Sequence, residues 1–141
     1  MFQRSKKVAL LQKIPLFRDL SRKQLGQIER LVDEITVPAG SRLATAGQHG
    51  AELVIIVEGR ATVTIGRRRT VRLSPGDFFG EMSLVDGGPR SATVEAASDM
   101  RLLVIGGREF SELLEKAPPI VVKIMRVLSC RVRDAEASVS A

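Results

Sequence analysis

A glycine, a carboxylate and an arginine lie close together in residues 75–94, and together they could hold a sugar phosphate. Gly80 lets the backbone approach a ligand closely. A short helix over 81–86 would point its first free N–H groups at one spot, which is a natural site for an anion. Arg90 offers a planar fork that matches two phosphate oxygens. Glu81 can accept hydrogen bonds from ribose hydroxyls. The stretch therefore predicts a ribose-phosphate pocket.

A simpler interpretation of the same residues is an ion pair. Glu81 and Arg90 are separated by nine positions and could face each other across a turn at the surface. Such a pair would contribute little to stability and would need no ligand. The residue types alone leave both interpretations open.

The elements that must position this stretch differ in hydrophobic period. Residues 4–35 show helical spacing, with a Ser-x-x-Gln capping signature at Ser21. Residues 36–105 alternate polar and apolar positions between turns rich in glycine and proline, which predicts antiparallel strands. Helical spacing returns over 107–135, before a short polar tail. We predict an α+β, mainly β domain over residues 1–141: an antiparallel β-roll of the double-stranded β-helix or jelly-roll type, flanked by helices.

Composition excludes several function classes. The longest apolar run has five residues, too short for a membrane span or for the core of a signal peptide. One cysteine, Cys130, cannot form an internal disulfide, which favours a cytoplasmic setting. One histidine, His49, cannot build a metal site of several histidines.

The net charge of +6 is concentrated at one end of the chain. Residues 1–23 carry seven cations and one anion, and residues 24–141 carry 15 of each sign. A DNA-binding domain more often spreads its basic surface through the fold. We therefore expect no sequence-specific DNA binding by this chain, and only weak, salt-sensitive binding of polyanions.

Two sequence segments resemble the phosphate-binding cassette of the cyclic-nucleotide-binding domain family. Phe-Gly-Glu-Met-Ser-Leu stands at 79–84, and Pro-Arg-Ser-Ala-Thr-Val stands at 89–94, with the family's gap between them. The entry segments Ile-Pro-Leu-Phe at 14–17 and Val-Pro-Ala-Gly at 37–40 are similar too. The resemblance covers roughly residues 10–134. The family includes the catabolite activator protein, the regulatory subunits of cAMP-dependent protein kinase and the cyclic-nucleotide-gated channels.

The resemblance implies roles for five cassette residues. Glu81 would bind the ribose 2′-hydroxyl, and Arg90 would bind the cyclic phosphate. Backbone N–H groups of Gly80, Ser91 and Ala92 would complete the phosphate cradle. Ser91 permits a contact with guanine without requiring one, so the choice between cAMP and cGMP stays open.

Further ligand contacts are implied outside the charged centre. Met82 stands at the aliphatic position of the cassette. Ile65 and Val71 would form apolar walls for the base, with ordinary core packing as the alternative. The chain has no Trp and no Tyr, so an aromatic lid over the base is excluded. An arginine of the last helix could cover the base instead; Arg131 and Arg133 are the candidates, and we favour Arg133. Both could equally be solvated cations near a helix C-terminus.

Three functions follow as hypotheses. The leading one is a non-enzymatic sensor that binds cAMP, or cGMP, in the cassette and signals through movement of its C-terminal helix to an effector domain or partner protein. The ligand is a nucleotide, and no cofactor is implied. The alternative is the ligand-binding half of a cyclic-nucleotide-dependent transcription factor, truncated before its DNA-binding domain. An enzyme on a small β-roll, such as a cupin, is disfavoured by the single histidine, and no Ser-His-Asp set or P-loop is present.

Overall fold

A computed structural model describes residues 8–50, 52–66, 69–80, 89–90 and 92–140, with side chains in the last helix described as far as residue 130 and at 133. Helix α1 covers 8–12, a 3-10 turn covers Pro15–Phe17, and helix α2 covers Arg22–Glu29. Eight strands follow: β1 Asp33–Val37, β2 Arg42–Ala44, β3 Glu52–Glu58, β4 Ala61–Ile65, β5 Arg69–Leu73, β6 Phe78–Phe79, β7 Thr93–Ala96 and β8 Met100–Gly106. Helices α3 Gly107–Lys116 and α4 Pro118–Ser140 complete the described chain.

The strands form two antiparallel sheets. The first has the order β1-β8-β3-β6, and the second has the order β2-β7-β4-β5. Each sheet draws strands from both ends of the β region, so the chain winds as a roll. In the second sheet the alternation predicted from sequence is kept: Val63 of β4 lies opposite Val71 of β5 and Val94 of β7.

The central strand β3 explains why one part of the chain is continuously apolar. Leu53 and Ile55 belong to a core shared with the helices, and Val54 and Ile56 belong to a core between the two sheets. A strand covered on both faces needs apolar side chains at every position. The helix-side core also takes residues from both ends of the chain, including Phe17 of the 3-10 turn and Ile120 of α4.

The start of α2 confirms the predicted capping box. The Ser21 hydroxyl accepts a hydrogen bond from the Gln24 backbone N–H (3.1 Å), and the Ser21 N–H donates to the Gln24 side-chain oxygen (3.0 Å). These reciprocal bonds satisfy N–H groups that have no partner within the helix.

Two predicted boundaries were wrong. The helical region was predicted to reach Ile35, but α2 ends at Glu29 and Ile35 pairs with Leu102 in β1. Short apolar patterns fit both periods, and pairing with β8 decides this one. The last helix was predicted to end near residue 135, but α4 continues to Ser140. The tail contains no glycine or proline that would stop it.

Candidate functional site

The backbone of Arg90 is anchored to a distant loop. Its N–H donates to the carbonyl of Gln48 (2.8 Å), and its own carbonyl accepts from the N–H of Gly47 (2.9 Å). Three residues later, the Thr93 hydroxyl accepts from the Ala46 N–H (3.0 Å). Arg90 and Thr93 are therefore both held against residues 46–48.

The Arg90 side chain extends from this anchor toward the start of β3. Its Nη2 donates to the backbone carbonyl of Glu52 (3.2 Å). Its Nη1 is buried and has no hydrogen-bond partner among the described residues. Burial lowers the pKa of the Arg90 guanidinium, and the carboxylate of Glu52 opposes that shift by favouring the cation. A buried cationic donor without a partner is costly unless an anion meets it.

Two glycines make room for this guanidinium. Gly80 follows β6 with φ +96°, and a Cβ there would collide with Arg90 Nη1 and with the Glu52 carbonyl oxygen. A Cβ at Gly50 would also collide with the Arg90 guanidinium, at Nε, Nη2 and Cζ. Only glycine tolerates both the backbone angle and the close approach at position 80. The two glycines leave space for the arginine and bring backbone groups next to it.

The predicted apolar walls lie on the inward face of the second sheet. Val63 packs against the core between the sheets, and the cross-strand pairing places Val71 beside it on the same face. Ile65, two positions further along β4, shares that face and is 43% exposed. An isoleucine this exposed on an inward face is not an ordinary core residue. It leaves apolar surface at the end of the roll.

The structure describes only some of the remaining predicted site residues. Ala92 is described, one position before β7. Glu81, Met82 and Ser91 lie outside the described residues, so their roles stay predictions. Arg133 is exposed on α4, and its role as a lid also stays a prediction.

Sequence reasoning missed Glu52 and Gly50. It assigned no role to Glu52, and it treated Gly50 as part of a turn. Their contacts with Arg90 cross 38 and 40 positions of the chain, and no local pattern predicts such a pairing. The glycine cluster at 47–50 was the one available signal, because glycine often marks a close approach as well as a turn.

Among the described residues, no group of three His, Cys, Asp or Glu side chains gathers to hold a metal ion. None of the described helices is long and apolar enough to cross a bilayer.

Comparison with known proteins places the chain in a family. A family model described as "Cyclic nucleotide-binding domain" matches residues 34–117. A cyclic nucleotide-gated potassium channel of Mesorhizobium japonicum is 39% identical over 129 residues, which is 92% of this chain and 36% of the channel. The crystal structure of the Thermus thermophilus catabolite activator protein superposes with a TM-score of 0.79 at 28% identity, covering 89% of this chain and 62% of that one.

A third comparison supports the fold. The regulatory domain of Toxoplasma gondii protein kinase A, crystallised with cAMP, superposes with a TM-score of 0.80 at 20% identity, over 91% of this chain and 51% of that one. The predicted mainly β roll with flanking helices is confirmed.

The chain belongs to the cyclic nucleotide-binding domain family. The family predicted from the two cassette segments is thereby confirmed. This chain spans about a third of the length of the channel relatives that it matches.

Proposed function

We propose that this domain binds a purine 3′,5′-cyclic nucleotide, cAMP or cGMP, and that Arg90 binds its cyclic phosphate. The observation that carries the proposal is the buried Nη1 of Arg90, which has no partner among the described residues. A phosphate oxygen would supply the missing acceptor for Nη1 together with a negative charge. The N–H groups of Gly80, Ser91 and Ala92 would complete the cradle, and Glu81 would bind the ribose 2′-hydroxyl. Among the apolar contacts, Ile65 and Val71 would face the base, and Met82 would support the cassette.

Calorimetric titration with cAMP and cGMP tests the proposal. We expect one site per chain. Arg90→Leu should lose affinity by about 2–5 kcal/mol, because the phosphate would still be desolvated but would lose its charged partner. Arg72→Leu is the matched control, since Arg72 is an exposed arginine on β5, at the far edge of the second sheet from β2. Equal affinity for wild type and Arg90→Leu would refute the role of Arg90.

We also propose that the domain is a sensor, not an enzyme, and that α4 is its moving element. Ile120 and Ile124 are buried in the helix-side core, whereas Val122 and Met125 are 49% and 61% exposed. From residue 125 to residue 130 none of the α4 side chains is fully buried. A helical segment with few fully buried side chains can move at low cost.

One contact supports coupling between α4 and the N-terminal segment. Lys123 Nζ donates to the carbonyl of Pro15 (2.6 Å) and lies 3.0 Å from a carboxylate oxygen of Asp19. A displacement of α4 near Lys123 would therefore disturb the 3-10 turn. In hydrogen exchange, saturating cAMP should increase protection over residues 120–134 and change it over residues 8–20. Changes confined to residues 78–94 would indicate a binding site without a switch.

The whole protein's output is a further proposal. The matched channel and the catabolite activator protein suggest an effector domain or partner protein controlled by the bound nucleotide. The single cysteine is the support for a cytoplasmic setting.

A further inference from the structure

Glu52 brings a negative charge to the site that is proposed to bind an anion. It is the first residue of β3, and strand alternation places it on the same side as Val54 and Ile56, which face the second sheet. Its backbone carbonyl accepts the hydrogen bond from Arg90 Nη2. The residue is exposed, so its carboxylate remains solvated.

The two parts of Glu52 act on Arg90 differently. The carbonyl orients the guanidinium and carries no net charge. The carboxylate is a counter-charge, since its field stabilises the cationic form of Arg90 against the effect of burial. A cyclic phosphate bound to Arg90 would lie in the field of the Glu52 carboxylate, and both groups are negatively charged. Like charges held next to the same guanidinium oppose each other even when one of them is solvated.

We propose that the Glu52 carboxylate is a built-in competitor for Arg90, which holds the affinity of the site for the cyclic phosphate below the value that Arg90 alone would give. This inference rests on the proposed function of the site. Its consequence is faster release of the nucleotide, because the repulsion is present in the complex and absent once the anion has left. A sensor that must reset benefits from such a limit on residence time.

Glu52→Gln tests the proposal with little change of shape. Every substitution at this position keeps the backbone carbonyl, so the hydrogen bond to Arg90 Nη2 is retained. We expect Kd for cAMP to fall about threefold to tenfold at low salt, mainly through slower dissociation. Glu58→Gln is the matched control, since Glu58 is the exposed residue at the other end of the same strand. It should leave Kd unchanged.

Salt dependence separates a charge effect from a change of structure. The Debye length falls from about 10 Å at 0.1 M salt to about 3 Å at 1 M, so an exposed carboxylate loses most of its reach. The advantage of Glu52→Gln should therefore shrink to less than about twofold at 1 M salt. A merely structural gain would persist at both salt concentrations, and that result would overturn the proposal.

The remaining outcomes distinguish a failure of the competitor role from a failure of the proposed function. If wild type binds cAMP and Glu52→Gln binds equally well or more weakly, the competitor role is wrong and the proposed function stands. Weaker binding would mean that the carboxylate contacts the ligand favourably. If neither protein binds cAMP or cGMP although both unfold cooperatively, the proposed function fails and this inference fails with it.

Discussion

Replacing Arg90 should make the nucleotide-free protein more stable while it weakens nucleotide binding. Arg90→Met keeps an unbranched stem of similar length and deletes the charged head. The change removes a buried Nη1 that has no partner among the described residues. It also removes one hydrogen bond, from Nη2 to the carbonyl of Glu52 at 3.2 Å.

The magnitude follows from these two opposing effects. A buried donor without a partner costs about 1–3 kcal/mol, and a net hydrogen bond to a charged group contributes about 1.5–3 kcal/mol. Two further effects favour methionine. Removing a partly buried charge removes its desolvation cost from the folded state, and the Glu52 carbonyl, on an exposed residue, can accept from water instead. We expect a net gain of about 1 kcal/mol in the free energy of unfolding, or about 3 °C in Tm for a domain of this size.

Thermal and urea denaturation without and with cAMP would measure both effects. At a cAMP concentration of about 100 times the wild-type Kd, wild type should gain about 2.7 kcal/mol, whereas Arg90→Met should gain less than about 1 kcal/mol. Arg72→Met, at an exposed position of β5, should change stability by less than about 0.5 kcal/mol. It should keep the full stabilisation by cAMP. A loss of more than about 1 kcal/mol in nucleotide-free Arg90→Met would refute the reasoning. It would mean that the guanidinium is paired within the fold.

Three further predictions concern the scaffold. Gly80→Ala should cost about 1–3 kcal/mol of stability, measured by urea denaturation, and should abolish cAMP binding; Gly40→Ala, at a similar φ of +89° in open space, should cost less and spare binding. Ser21→Ala should cost about 1 kcal/mol in the same assay through loss of the cap on α2, and an unchanged midpoint would contradict it. Lys123→Met should abolish any cAMP-dependent change in hydrogen exchange over residues 8–20, whereas Kd should change little; persistence of that change would show that coupling takes another route.

Local signals in the sequence predicted a helix cap, the alternation along a strand and the protein family. The capping signature at Ser21 and the alternation over Ala61–Ile65 involve neighbouring residues, and both are present in the structure. The cassette segments identified the family because their residue types and the gap between them match the family's motif. What these signals share is short range along the chain.

The arrangement around Arg90 could not be predicted in the same way. Glu52 lies 38 residues away, and its position beside Arg90 depends on the pairing of β3 with β6, in which Val54 lies opposite Phe79. That pairing brings Gly80 to the start of β3. The prediction that Ile35 is helical was wrong for a related reason, since its strand partner Leu102 is far along the chain. Contacts set by sheet topology leave no periodic trace in the local sequence.

The way Arg90 is held bears on where a conformational switch can lie. Its backbone is fixed by hydrogen bonds to Gln48 and Gly47, and its side chain is fixed by the Glu52 carbonyl between two glycines. None of these contacts needs a nucleotide. A ligand can shift a conformational equilibrium only through contacts that differ between the two states. A cradle built from the protein's own backbone would bind phosphate equally well in both conformational states. It would therefore contribute to affinity but would not shift the equilibrium between the states. The difference must then come from an element that reaches the ligand in one state only, and the sparsely buried part of α4 is the described segment best suited to that role.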